Sequence, residues 1–292
     1  MNALIIINSK KGKSTFSNHL YDICHILTRK EYEISIKLTS KEINAYDIVI
    51  QKRYDLYIVA GGDGTINEVV NAVSTYEDKP DVMYFPTGTV NDFGNSLGLQ
   101  TIIQRQLVVL RRHKVKEIDS GLVNGKYFNY VCGFGPFTRT SYITTHYEKN
   151  KYGKLAYIKN MFDEIPELLN SYHMDVIVDG EKISGEFTYA LIINSVSVAG
   201  FRKFLKNDKM DDGLFNLILV GKSSAKTLTQ AISLISKGFD KNFSEDSVIY
   251  RKFKKLSIQT DDDIQWTLDG EKGPIGSVEI EVIPKNLRML VP

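Results

Sequence analysis

The chain has 292 residues, 42% of them hydrophobic and 25% charged, with a formal net charge of +2. That length supports a large core in one or two domains, and the near-balance of charge excludes the strongly basic stripe of a dedicated nucleic-acid binder. Its two cysteines, Cys24 and Cys132, stand far apart in no ligand pattern, which excludes a disulfide framework and a cysteine-type zinc site and points to a reducing, cytoplasmic compartment.

Residues 3–7 are an apolar strand with no basic segment before them, so they read as the start of a fold and not as a signal peptide. No later apolar run approaches the roughly 18 residues of a membrane span. The polar turn Asn8-Ser9-Lys10-Lys11-Gly12-Lys13-Ser14 follows the first strand. Phe16, Leu20, Ile23 and Leu27 then recur at helical spacing, Ile34, Ile36 and Leu38 alternate as a second strand ended by Thr39-Ser40, and residues 41–53 hold another helix. The apolar run 56–60 enters Gly61-Gly62-Asp63-Gly64, and Ile66, Val69, Val70 and Val73 leave it at helical spacing. Residues 82–85 form the next strand, ending in Pro86-Thr87-Gly88-Thr89-Val90-Asn91-Asp92-Phe93. This alternation predicts a parallel sheet with helices on both faces. Ligands bind at the carboxyl ends of such strands, where the turns at Asn8, Thr39, Gly61 and Gly88 all fall.

After about residue 115 the texture changes to short alternating segments, at 126–131, 174–178, 187–194, 214–220, 256–259 and 278–283. Asn124-Gly125 and Asp179-Gly180 between such runs read as hairpin turns. Helical stretches at 155–169 and 223–237 interrupt them, the second closed by Gly238. The expectation is an α/β domain at 1–118, a β-rich sandwich at 119–285, and a last strand, 286–292, returning to the first domain. No Pro/Ser-rich linker separates them, which predicts close packing.

The stretch 58–72, a strand, a glycine turn and a helix, is the arrangement by which a backbone approaches phosphate closely. Glycines remove side-chain bulk, and the first amides of the new helix favour anions. Asp63 inside the turn repels phosphate unless a cation lies between, so the stretch suggests a magnesium nucleotide. A tight strand–helix corner with an acidic first turn reads equally well from these residues alone.

The joint pattern narrows this choice. Gly61-Gly62-Asp63-Gly64-Thr65-Ile66-Asn67-Glu68, the segment 86–93, Lys209-Met210-Asp211-Asp212-Gly213-Leu214 and Leu268-Asp269-Gly270-Glu271 together resemble the diacylglycerol kinase catalytic family, in particular its soluble bacterial lipid kinases. The first motif alone is shared with NAD kinases; the segment 86–93 and the late Leu-Asp-Gly-Glu separate the two. The resemblance implies an NAD-kinase-like first domain in which ATP is held by Asn8, Ser9, Lys10, Lys11 and Gly12, by Thr39, by Gly62, Asp63, Gly64, Thr65, Ile66, Asn67 and Glu68, and by Thr89. Asp63 would take Mg²⁺, directly or through water. The family's first loop usually reads Asn-Pro-x-Ser-Gly; here Ser9 and Lys11 replace proline and serine. They read as a solvated turn, with Lys10, Lys11 or Lys13 able to add charge near phosphate.

Glu271 is the candidate general base, since phosphoryl transfer to an alcohol needs a positioned carboxylate to accept the hydroxyl proton. Asp269, two residues earlier, would face the same side of an extended segment and orient Glu271 or a metal. By itself, Asp-Gly-Glu also reads as a hairpin with two exposed acids. The resemblance further implies a structural metal on the Asp212 carboxylate and the carbonyls of Lys209 and Leu214, where spacing alone gives an Asp-Gly turn before a strand. The five histidines, His19, His25, His113, His146 and His173, form no ligand spacing and read as structural or surface residues. Basic clusters at 111–114, 201–204 and 251–255 are ordinarily solvated faces; the phenylalanines of 201–204 also suit an anionic bilayer.

The function expected is ATP-dependent phosphorylation of diacylglycerol to phosphatidic acid, in a cleft between the domains facing the inner membrane surface, with ATP and Mg²⁺ as cofactors and no nucleic-acid partner. A homodimer is left open. The alternatives are another lipid alcohol as acceptor (sphingoid base or ceramide), an NAD kinase, and a non-catalytic lipid- or nucleotide-binding regulator.

Overall fold

The computed structural model describes residues 1–8, 16–135, 170–194, 197–198, 201–202, 209–221 and 248–292. Ser9, Lys10, Lys11 and Gly12 and the expected helices at 155–169 and 223–237 lie outside these residues. The chain forms two compact units, residues 1–118 with 285–292, and residues 119–284.

The first unit alternates strand and helix: β1 (Asn2–Ile7), α1 (Leu20–Arg29), β2 (Glu33–Leu38), α2 (Ala45–Ile50), β3 (Leu56–Gly61), α3 (Asp63–Ser74), β4 (Asp81–Pro86), α4 (Asp92–Ser96) and α5 (Ile103–Arg112). Each helix follows from local chemistry. In α1, Ile23, Ile26 and Leu27 form the buried stripe. In α2, Asn44 and Asp47 make a reciprocal capping box that fixes its start. The side-by-side strand order is β2-β1-β3-β4, and every pairing is parallel. All six residues of β3 are buried, as expected of a parallel strand covered on both faces. Helices α2 and α3 pack as one pair and α1 and α5 as another. Phe16, just ahead of α1, meets Phe85 of β4 edge-on at 5.0 Å between ring centroids.

The second unit is antiparallel in its described pairings. The chain enters it along β5 (Val115–Val123) and continues through β6 (Lys126–Phe128), β7 (Val131–Phe134), β8 (Tyr172–Val178), β9 (Glu181–Ile193), the two-residue strands β10 (Ser197–Val198) and β11 (Phe201–Arg202), β12 (Phe215–Gly221), β13 (Val248–Phe253), β14 (Lys255–Gln259), β15 (Gln265–Leu268), β16 (Glu271–Ile275) and β17 (Val278–Leu290). Neighbours run β16-β15-β7-β9-β8-β14-β17, and β12 joins β9 to β13. Its main core gathers Phe128, Phe134, Phe215, Phe253 and Trp266 around aliphatic residues of the same strands. The last part of β17 belongs to the first unit, where Arg288 and Met289 lie beside Asp81 and Val82 of β4.

Two segments depart from the sequence reading. The run expected at 126–131 divides into β6 and β7, because Asn129 and Tyr130 leave the ladder and give their amides to a distant carboxylate. Residues 103–112, for which no helix was expected, form α5.

Candidate functional site

In the first unit the candidate residues gather at the carboxyl ends of four adjacent strands. The ends are level: Ile7 pairs with Leu38 and with Ala60, and Gly61 with Pro86. Asn8, Thr39, Gly62 and Thr87 are the next residues on each strand, and they are tied strand to strand. The Asn8 amide donates to the Ala60 carbonyl at 3.0 Å, Thr39 to Ile7 at 3.0 Å and Thr87 to Gly61 at 2.8 Å. The Asn8 side chain donates to Thr65 Oγ1 at 2.7 Å, which joins the first loop to α3.

Gly62 is the cap residue of α3, and without a side chain it provides no cap for the amides of the first turn. The bareness is also steric. A Cβ on Gly88 would stand 2.7 Å from Gly62 Cα, so the two glycine turns rest backbone on backbone. Asn91 locks the second turn from a left-handed conformation, φ 58°, which asparagine tolerates better than most residues. Its Oδ1 accepts from the Gly88 amide at 2.8 Å, and its Nδ2 donates to the Gly88 carbonyl at 3.0 Å. The fully buried Tyr84 hydroxyl lies 3.3 Å from both Asn91 Oδ1 and the Gly61 carbonyl. Burial, with Asp63 and Asp92 close by, holds that hydroxyl well above its ordinary range and keeps it protonated.

Asp63 opens α3 and reaches across to the second turn. Its Oδ2 accepts from the Asn91 amide at 2.8 Å and its Oδ1 from the Phe93 amide at 3.4 Å. The carboxylate thereby braces the first glycine turn against the second. Glu68, one turn further on, accepts from the Ala45 amide at 2.8 Å and so anchors the start of α2. Gly64 and Thr89 are exposed, while Thr65 and Ile66 are buried. The structure therefore brings Asn8, Thr39, Gly62–Glu68 and Thr89 to one sheet edge, with Thr65 and Glu68 holding the loops together. Sequence reasoning missed Asn91 and Tyr84 as the residues that join the turns. An asparagine three residues after a glycine was the available signal for Asn91.

In the second unit the acidic pair is arranged differently from expectation. Asp269 and Gly270 have φ of 50° and 85° and form a two-residue hairpin turn, with Leu268 paired to Glu271. Asp269 and Glu271 consequently do not share the side of an extended segment, and only Glu271 is exposed. Asp269 is 3% exposed. Its carboxylate accepts from the amides of Asn129 at 2.7 Å, Tyr130 at 3.0 Å and Val131 at 2.9 Å. Burial pushes its pKa up to about 6 against the pull of those amides, and its oxygens are turned inward to them, away from any external hydroxyl.

The Asp212 turn lies before β12. Asp212 Oδ2 accepts from the Lys252 ammonium of β13 at 2.8 Å, and Oδ1 from the Leu214 amide at 3.2 Å. The one charged ligand of the implied metal set thus already holds a cation that the chain itself supplies, and a divalent ion there has to displace it. Leu214, whose carbonyl the implied set would use, meets Asp212 through its amide. Asp119 ties the same turn into the unit, its Oδ2 accepting from the Gly213 amide at 2.7 Å. The side chains of 201–204, the cluster suited to a bilayer, are outside the described residues. Three of the four basic residues in 251–255 are paired: Arg251 with Glu181, Lys252 with Asp212 and Lys255 with Glu281.

Comparison with known proteins covers both units. Residues 2–123 match the model of the diacylglycerol kinase catalytic domain, and residues 138–291 match the YegS C-terminal NAD kinase beta sandwich-like domain. Two solved chains from Bacillus anthracis str. Sterne share the fold over 100% of this chain and 97% of theirs. Their TM-scores are 0.83 and 0.79, at 24% and 22% identity, and the second is described as a diacylglycerol kinase. Proteins named diacylglycerol kinase from Staphylococcus haemolyticus (strain JCSC1435) and Staphylococcus carnosus (strain TM300) are each 34% identical to it. They align over 93% of this chain and 82% and 89% of their own. A namesake from Staphylococcus aureus (strain Newman) is 35% identical, over 93% of this chain and 86% of its own. With both domain models matched in order and relatives of that identity along nearly its whole length, the chain belongs to the diacylglycerol kinase family.

Proposed function

We propose that this protein transfers the γ-phosphoryl group of ATP to the hydroxyl of diacylglycerol, giving phosphatidic acid and ADP, at the inner membrane face. The observation that carries the donor side is the level edge of four polar loops, with two glycine turns resting on each other and the first turn of α3 left without a side-chain cap, an arrangement suited to phosphate. Magnesium, when bound, would neutralise phosphate charge, and Asp63, at the start of α3, would hold it beside the nucleotide. On the acceptor side, Glu271 takes the hydroxyl proton as the acceptor oxygen bonds to the γ-phosphorus and the bond to ADP breaks. The relatives named diacylglycerol kinase support the choice of acceptor.

Purified protein with Mg–ATP and diacylglycerol in mixed micelles is expected to form phosphatidic acid, with sphingoid base and ceramide run in parallel as competing acceptors. Glu271→Gln is expected to lower kcat by roughly 10²–10⁴-fold while ATP binding persists. Full activity in that variant would remove Glu271 from the mechanism.

A further inference from the structure

We infer that Asp269 is a positioning residue, whose buried carboxylate fastens the turn carrying Glu271 to the backbone of residues 129–131. The inference rests on the reading of Glu271 as the proton acceptor. Four N–H groups converge on this one carboxylate: the amides of Asn129, Tyr130 and Val131, and the Asn129 side chain at 3.4 Å. The main chain of Asp269 is tied to the same short segment. Its amide donates to the Val131 carbonyl at 2.7 Å, and its carbonyl accepts from the Tyr130 hydroxyl at 3.0 Å. Side chain, amide and carbonyl of a single residue are therefore all engaged by three consecutive residues.

The turn itself does not require an acid. Two other hairpins use the same left-handed pair, Asn124-Gly125 and Asp179-Gly180, and at those positions asparagine and aspartate both serve. What distinguishes Asp269 is burial together with three backbone amides aimed at it, a set that only a deprotonated carboxylate satisfies, because asparagine would turn a donor toward one of them. Burying a charge is costly unless every lone pair is used, and a fold that accepts the cost at the residue beside Gly270 gains a fixed exit direction for β16, whose first residue is Glu271. Beyond the turn the brace continues as ladder pairs, Leu268 with Cys132 and Thr267 with Gly133. The hairpin is thus clamped along β7 up to the point where Glu271 begins. A reacting group misplaced by about 1 Å can lose a hundredfold in rate, which sets the scale of what such a clamp protects.

The test is a double-mutant cycle of Asp269→Asn and Glu271→Gln in the full chain, read by kcat, KM for ATP, and the emission of Trp266. This is the chain's single tryptophan, whose indole donates to the Gly276 carbonyl at 2.8 Å within the same hairpin region. Asp269→Asn is expected to lower kcat roughly tenfold to hundredfold with KM for ATP within about twofold. It is expected to add no loss in the Glu271→Gln background, because it acts only through Glu271. Wild-type kcat in Asp269→Asn, or losses that multiply in the double variant, would overturn the inference while leaving Glu271 in place. Wild-type kcat in Glu271→Gln would overturn the base reading and this inference with it. Should Trp266 emission show that Asp269→Asn does not fold, Tyr130→Phe removes the 3.0 Å bond to the Asp269 carbonyl. A several-fold fall in kcat that disappears in the Glu271→Gln background then supports the inference, and an unchanged kcat overturns it.

Discussion

At the scale of single residues, the donor edge depends on what is missing. Gly62 and Gly88 meet Cα to backbone, and a methyl group at position 88 would be driven to 2.5 Å from Asn91 Oδ1 and 2.7 Å from Gly62 Cα. Neither neighbour can yield cheaply, since Asn91 is buried and bonded twice to residue 88. Gly88→Ala is therefore expected to cost about 1–3 kcal/mol of stability and to weaken ATP binding several-fold, measured by denaturant unfolding and calorimetry. Unchanged ATP affinity would show that the second turn does not shape the nucleotide surface. That these glycines form turns at strand ends was legible in the sequence, although a plain strand–helix corner read equally well until the later motifs were joined to them. Asp269 was not. Whether an Asp-Gly pair is an exposed corner or a buried brace depends on the amides of residues 129–131, roughly 140 positions away in the chain, and no local pattern encodes that partner.

At the scale of elements, the parallel strands and their helices were readable because burial on one or two faces imposes a period on the sequence, as in the wholly apolar β3 and the stripe of α1. Helix α5 was harder to read because the charged and amide residues Gln104, Arg105, Gln106, Arg111 and Arg112 dilute its apolar positions, although Ile103, Leu107 and Leu110 are buried at helical spacing. The pairing of β12 with β13 sets Lys252 opposite Asn216 and brings its ammonium to Asp212, a contact that spacing around Asp212 could not disclose. Magnesium at this turn must compete with a tethered cation. Lys252→Met is expected to enlarge the rise in melting temperature produced by millimolar Mg²⁺ by about 2–4 °C relative to the parent protein. Identical Mg²⁺ responses in differential scanning calorimetry would mean that Lys252 does not guard the carboxylate.

At the scale of the whole molecule, two strands carry the chain across the boundary between the units, β5 outward and β17 on the return. The return is fixed by charge at the start of β4. Asp81 accepts from Arg288 Nε at 2.8 Å and lies 2.8 Å from His113 Nε2, while Arg288 also approaches Glu117 at 3.8 Å. Burial raises the Asp81 pKa, but the bonds from His113 and Arg288 outweigh it and hold the carboxyl below its usual range. A depressed native pKa adds stability that is complete above the unfolded-state value near 4 and is lost as pH falls through the native value. Asp81→Asn is accordingly expected to cost about 1–3 kcal/mol at neutral pH, with the gap to the parent protein closing below about pH 4 in urea titrations. A gap independent of pH would assign the loss to packing instead of charge.

The returning strand also has a consequence for the order in which the protein can be made. Outside β3, the neighbour of β4 in the parallel sheet is the end of β17, which leaves the ribosome some 200 residues after β4 itself. Until then the nascent first unit carries β4 with one row of amides and carbonyls unmet, the kind of edge that recruits other chains. Vectorial synthesis thus completes this unit last although it begins first. A translation product that stops short of residue 285 would expose that edge permanently, which makes such fragments natural clients for chaperones that bind extended apolar backbone.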